Sequence, residues 1–160
     1  MESISNECSH DSDSAYLIRS DWIFVENPVI FSATSSVVVA GKDVCTQYVL
    51  IGRPSNNTNG VGFLGYADGE MISGKLKRIV VTGVPGEGRA CIDQFYVDKN
   101  CRHMGHGPHL MRLLVDIYTR GGTKVLTVPA PTREGTYFYK KFGYHRIDGG
   151  DLQLHLVDEQ

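Results

Sequence analysis

The residues of this chain that could do chemistry together cluster in its second half. Arg102-His103-Met104-Gly105-His106-Gly107 follows a β-like run, Cys91–Val97, and a turn, Asp98–Cys101, and leads at Pro108 into a helical pattern. A strand, a tight turn and a helix N-terminus in succession make an anion site, because backbone N–H groups converge there and the helix dipole favours negative charge. Small residues at 105 and 107 let a pyrophosphate approach the main chain. Charge points the same way: residues 98–146 carry nine Lys or Arg against three Asp or Glu, in a chain whose net charge is −2. Asp93, on the strand before the loop, shares parity with Cys91, Phe95 and Val97 and offers a carboxylate that can take a proton through water.

Other patterns lack the context their chemistry needs. Gly60-Val61-Gly62-Phe63-Leu64-Gly65 matches G-x-G-x-x-G, yet a polar turn precedes it and a strand-like run follows, where a dinucleotide site needs a strand and then a helix. Gly69-Glu70-Met71-Ile72-Ser73-Gly74-Lys75-Leu76 approaches a P-loop, but Leu76 stands where a hydroxyl would bind magnesium. Cys101, His103, His106 and His109 form a Cys/His-rich stretch without four convergent ligands, in a segment whose amides are aimed at phosphate, so no metal is expected.

The elements that must position these groups divide at Val97. From Tyr16 to Val97 the signal is β: Val37–Val39, Tyr48–Ile51, Val61–Tyr66, Ile79–Thr82 and Cys91–Val97 are β-branched or aromatic runs separated by turn clusters, which predicts an antiparallel meander. Leu110, Leu113, Leu114, Ile117 and Tyr118 then mark a helix from about Pro108 to the Gly121-Gly122 stop. Lys124–Val128 reads as a buried strand, and Thr132 caps a second helix that runs through Phe142 to Gly143. Tyr144–Ile147 and the alternating Leu152, Leu154 and Leu156 close the chain as strands.

In that order, Arg102-x-x-Gly105-x-Gly107 and Phe138-Tyr139-Lys140-Lys141-Phe142-Gly143-Tyr144 resemble the acyl-CoA loop and the last-helix segment of the GNAT superfamily of N-acetyltransferases. The resemblance covers roughly residues 90–147, and Gly107-Pro108-His109-Leu110-Met111 looks most like its histone-acetylating branch. It implies an α/β fold of the α+β type: a mixed, mostly antiparallel sheet flanked by helices and splayed at the acetyl-CoA cleft. It assigns the backbone of Phe95, Tyr96 and Val97 to the pantetheine arm and thioester carbonyl. Arg102, His103, Met104, Gly105, His106, Gly107 and Pro108 surround the pyrophosphate. Thr132, standing where the family often has Asn, and Phe138 join the cofactor set, and Tyr139 matches the general acid for the CoA thiolate. The family usually places two helices between its first and second strands, whereas residues 20–60 read as strands and loops, so the acceptor side is expected to be built differently.

Composition bounds the rest. A chain of 160 residues fits one domain and buries roughly 68–70% of its unfolded surface. Residues 1–14 are polar and acidic and read as a flexible arm, leaving 15–160 as the domain. No apolar run suits a membrane helix, and the net charge argues against a nucleic-acid binder. Four cysteines without C-x-x-C spacing, and an N-terminus without a signal-peptide pattern, suggest the cytoplasm. The expected partner is an amine acceptor, a protein lysine or a polyamine or other small amine, met by a monomer or homodimer. The alternative is a CoA-binding regulatory module without transfer activity. Both ends are acidic, six acidic residues against one basic through Glu26 and four against none after Ile147, which would draw in a cationic amine if either end borders the cleft.

Overall fold

Strand β2 (Val29–Val39) folds back on β3 (Lys42–Pro54) through Ala40 and Gly41, whose φ values of 53° and 81° give a two-residue turn that follows the natural twist of a hairpin. The two strands pair without a break from Val39↔Lys42 to Val29↔Gly52. The computed structural model describes residues 16–17, 29–54, 60–73, 79–102 and 105–156; the arm expected over 1–14 lies outside them. Strand β1 (Tyr16–Leu17) pairs with β2, and the meander continues through β4 (Gly60–Ala67), which carries the short β5 (Glu70–Met71), then β6 (Ile79–Thr82) and β7 (Arg89–Gln94). Helix α1 (His106–Gly121) crosses to β8 (Val125–Val128), helix α2 (Arg133–Lys140) follows, and β9 (His145–Arg146) and β10 (Leu152–His155) finish the sheet.

The strand order is β1-β2-β3-β4-β6-β7-β8-β10-β9. Every pairing between these strands is antiparallel except β7 with β8, which α1 joins as a crossover. This is the mixed, mostly antiparallel sheet with flanking helices that the sequence predicts. The G-x-G-x-x-G match falls inside β4, a strand throughout, which removes the dinucleotide reading. No helix among the described residues is long and apolar enough to cross a membrane.

One face of the sheet is built to receive α1. Alternation along β4 buries Val61, Phe63, Gly65 and Ala67, while Ile79 and Val81 on β6 and Ala90 and Ile92 on β7 point the same way. Against them α1 lays Leu110, Met111, Leu113, Leu114, Ile117 and Tyr118, each side chain contributing roughly 1.5–3 kcal/mol by leaving water. The approach is close enough that a Cβ at Gly65 would lie 2.7 Å from the end of the Leu110 side chain, which would have to shift to admit it. The Tyr118 hydroxyl donates to the carbonyl of Gly83 at 2.8 Å, which lets a large ring sit fully buried.

Three boundaries differ from the sequence expectation. Helix α1 starts at His106 instead of Pro108, which takes the third helical position, still within the turn where a missing N–H costs nothing. Helix α2 ends at Lys140; Phe142 bonds back to the Tyr139 carbonyl in a tighter last turn before Gly143 takes φ 95°. Strand β7 ends at Gln94, so Phe95–Val97 leave the ladder despite their β-favouring side chains.

Candidate active site

The site begins where two strands part. β7 and β8 pair in parallel from Arg89↔Val125 to Cys91↔Thr127, and β8 stops at Val128 while β7 runs on to Gln94, held on its other side by β6. The backbone of Phe95, Tyr96 and Val97 therefore borders the opening between the two strands. Asp98 anchors the far end: its N–H donates to the Ile72 carbonyl at 2.7 Å, and its carboxylate accepts from the Asn100 N–H at 3.1 Å to cap the 3₁₀ turn Lys99–Cys101. Arg102 then ties the loop together, since its Nε donates to the Val97 carbonyl at 2.9 Å and its guanidinium lies over the Tyr96 ring at 5.0 Å.

Gly105 closes the turn in the left-handed region, φ 82°, directly before α1. The N-cap, Gly105, has no side chain with which to satisfy the first N–H groups of the helix. Among the described residues a Cβ at Gly105 would meet nothing within 4 Å. A turn of this kind at a helix N-terminus could hold an anion such as a pyrophosphate. His103 and Met104, assigned to the same cradle from sequence, lie outside the described residues.

Phe138 stands 5.4 Å from Phe95, ring centre to ring centre, and a Cβ at Gly107 would lie 3.4 Å from the Phe138 ring and 3.8 Å from Val97. Phe95, Val97, Gly107 and Phe138 thus meet at one place. Thr132 caps α2, its hydroxyl oxygen accepting from the Gly135 N–H at 3.0 Å.

Tyr139 is the buried member of this group, 7% exposed, with its ring edge-on to Phe138 and Tyr144. Among the described residues its hydroxyl has no hydrogen-bond partner, and burial pushes its pKa up to about 12. Asp93 is exposed and accepts a short hydrogen bond from the Thr82 hydroxyl on the neighbouring strand. Its negative charge, after burial, helps push the Cys91 thiol up, with Asp151 adding to the effect. The expected parity holds for Cys91 and Asp93, which point away from buried Ala90 and Ile92.

Sequence reasoning missed a second group beside the loop. Tyr48 on β3 hydrogen-bonds to His106 Nδ1 at 2.8 Å and stacks on His109 at 4.6 Å, and Ser35 on β2 reaches His109 Nε2 at 3.2 Å. Only the histidines signalled their presence. Cys101 packs against the core, and no three His, Cys, Asp or Glu groups converge as metal ligands among the described residues. A cavity of about 390 Å³ lined by Pro131, Arg133, Thr136, Tyr137, Lys140 and Arg146 lies on the face of α2 opposite Gly135, Phe138 and Tyr139, away from the opening.

A model of the family described as Acetyltransferase (GNAT) family matches residues 13–144. The structure is similar to that of a protein ascribed to the GNAT family from Desulfovibrio desulfuricans, with a TM-score of 0.50 and 17% identity over 62% of this chain and 71% of the other. It is also similar to the ribosomal-protein-S18-alanine N-acetyltransferase of Escherichia coli, with a TM-score of 0.50 and 16% identity over 66% of this chain and 74% of that one. At such identities the likeness is one of fold. No protein of curated function matches the chain significantly.

Proposed function

The chain belongs to the acetyltransferase (GNAT) family, and from that premise we propose that it moves the acetyl group of acetyl-CoA directly onto an amine. The observation that carries this reading is the N-terminus of α1, without a side-chain cap, set at the parting of β7 and β8. Acetyl-CoA, when bound, supplies a thioester whose carbonyl carbon an uncharged amine attacks: the C–N bond forms, the C–S bond breaks, and the proton lost by nitrogen balances the one gained by sulfur.

The chain's own residues divide that work. The amides at the start of α1, with Arg102 holding the loop closed, bind the pyrophosphate, and the backbone of Phe95–Val97 orients the pantetheine arm and the carbonyl. Phe138 walls the cleft and keeps water from it. The Tyr139 hydroxyl donates a hydrogen bond to the sulfur as negative charge develops there. With a pKa of about 12 it steadies the thiolate by that hydrogen bond and keeps its proton, and the departing sulfur takes its own proton from water. Asp93, oriented by Thr82, receives the amine proton through water. The alternative, a CoA-binding module without transfer, leaves the Tyr139 hydroxyl, which has no hydrogen-bond partner among the described residues, without a purpose.

Thiol release from acetyl-CoA, followed against spermidine-like amines, lysine-containing peptides and neutral amines, tests the reading. Release above the hydrolysis rate is expected, greatest with cationic amines and falling with salt. Binding of acetyl-CoA without release on any amine would refute transfer and favour the module.

A further inference from the structure

The β2–β3 hairpin outruns the sheet. β3 pairs with β4 only from Tyr48 to Pro54, and Gln47 still bonds to Asp68 just past β4, so Lys42–Thr46 pair with β2 alone, and the hairpin meets α1 at its first turns. There it supplies two hydrogen bonds to α1, Tyr48 to His106 and Ser35 to His109.

Donor chemistry fixes the state of His109. A guanidinium only donates, so Nη1 of Arg112, 3.3 Å away, requires an unprotonated Nδ1 on His109. Nε2 then carries the hydrogen and donates to the Ser35 hydroxyl. The imidazole is neutral in this arrangement, and the Tyr48 ring is stacked on it at an interplanar angle of 19°. A proton added at Nδ1 would set N–H against N–H and a second positive charge beside Arg112. The groups facing the ring are Arg112 and His106 from α1, Tyr48 from β3 and Ser35 from β2; among the described residues no carboxylate offsets the charge.

We propose that Tyr48, Ser35 and His109 are positioning residues for acyl-CoA: they clasp the first turn of α1, whose amides form the anion cradle, and protonation of His109 opens the clasp and weakens binding. The inference rests on the reading that this cradle takes the CoA pyrophosphate. Burial first, then Arg112, then His106 hold the His109 pKa below its ordinary 6.5. A folded-state pKa depressed in this way means that the clasp is whole above about pH 6.5 and is lost as pH falls through the lower folded value. The sign is distinctive, because protonation of histidines beside a pyrophosphate would by itself strengthen binding on acidification.

Calorimetric titration of acetyl-CoA at pH 8 and pH 5.5, on the unaltered chain and on His109→Gln, isolates the effect. Glutamine offers a carbonyl to Arg112 and an N–H to Ser35 but does not titrate. The two proteins should bind within about twofold at pH 8, and the ratio of their Kd values should shift about fivefold against the unaltered chain by pH 5.5, the scale of one or two net hydrogen bonds. Tyr48→Phe, which keeps the ring and loses the hydroxyl, should weaken binding about threefold at pH 8. A Kd ratio that does not change with pH overturns the proposal. If neither protein binds acetyl-CoA at pH 8, the CoA reading itself fails, and thermal melts then judge the clasp: its Tm must fall more steeply with acidification than that of His109→Gln, and equal slopes refute it.

Discussion

Replacing Tyr139 by phenylalanine should make the protein more stable and less active at once. The ring is 7% exposed and packed edge-on against Phe138 and Tyr144, contacts that phenylalanine keeps. What disappears is a hydroxyl buried without a partner among the described residues. Holding such a group out of water costs about 1–3 kcal/mol, so its removal should return at least ~1 kcal/mol and raise Tm by about 2–4 °C in a chain of this length. Activity moves the other way. If the hydroxyl steadies the departing thiolate, kcat should fall at least about tenfold while the Kd for acetyl-CoA changes little, because the phosphate contacts lie at α1. A pH signature separates the hydroxyl from the ring. Burial raises its pKa from 10 to about 12, so between pH 10 and 12 the unfolded chain ionises at this phenol before the folded one does, and stability falls across that window by on the order of 3 kcal/mol. Tyr139→Phe should lose that part of the alkaline unfolding slope. Tyr139→Ala, by contrast, opens a cavity and should cost about 3–5 kcal/mol. Steady-state kinetics and melts from pH 7 to 12 check all of this; a Tyr139→Phe enzyme with unchanged kcat and a lowered Tm would show that the residue is packing with a hidden partner.

Gly107→Glu should weaken acetyl-CoA binding at least tenfold in calorimetry: its Cβ arrives 3.4 Å from the Phe138 ring and its carboxylate repels the pyrophosphate. Unchanged affinity would remove the cradle from α1. Thr132→Ala deletes the cap on the Gly135 N–H and should cost about 1 kcal/mol, read as a Tm loss of about 2–4 °C, with the restoring control Thr132→Asn returning it.

Helix α1 was legible because Leu110, Leu113, Leu114, Ile117 and Tyr118 repeat at helical spacing and nothing in the core contradicts them. Its start was not, since the left-handed turn at Gly105 lets two more residues join ahead of Pro108. The end of β7 was misjudged for a different reason: Phe95–Val97 have strand-forming side chains, but a strand needs a neighbour, and β8 has already stopped at Val128. The meeting of Gly107 with Phe138 was implied only by two motifs read together. Tyr48 with His106 and Ser35 with His109 left no trace, because partners 58 and 74 residues apart share no local pattern.

The hairpin that reaches over α1 also bears on the order in which the chain assembles. Its register from Val39↔Lys42 outward joins near neighbours in sequence, so it can close within about 1–10 μs without help from the rest of the fold. β7 and β8 find each other only across the whole of α1, and that long loop must close before the pairing rewards it. The early piece therefore waits with Val38, Val39 and Val44 in solvent, where they stay even in the finished protein, at 70%, 54% and 42% exposure. The late piece brings the helix that Tyr48 and Ser35 grip. On this sequence of events the first turn of α1 is fastened to the hairpin only after both pieces have formed.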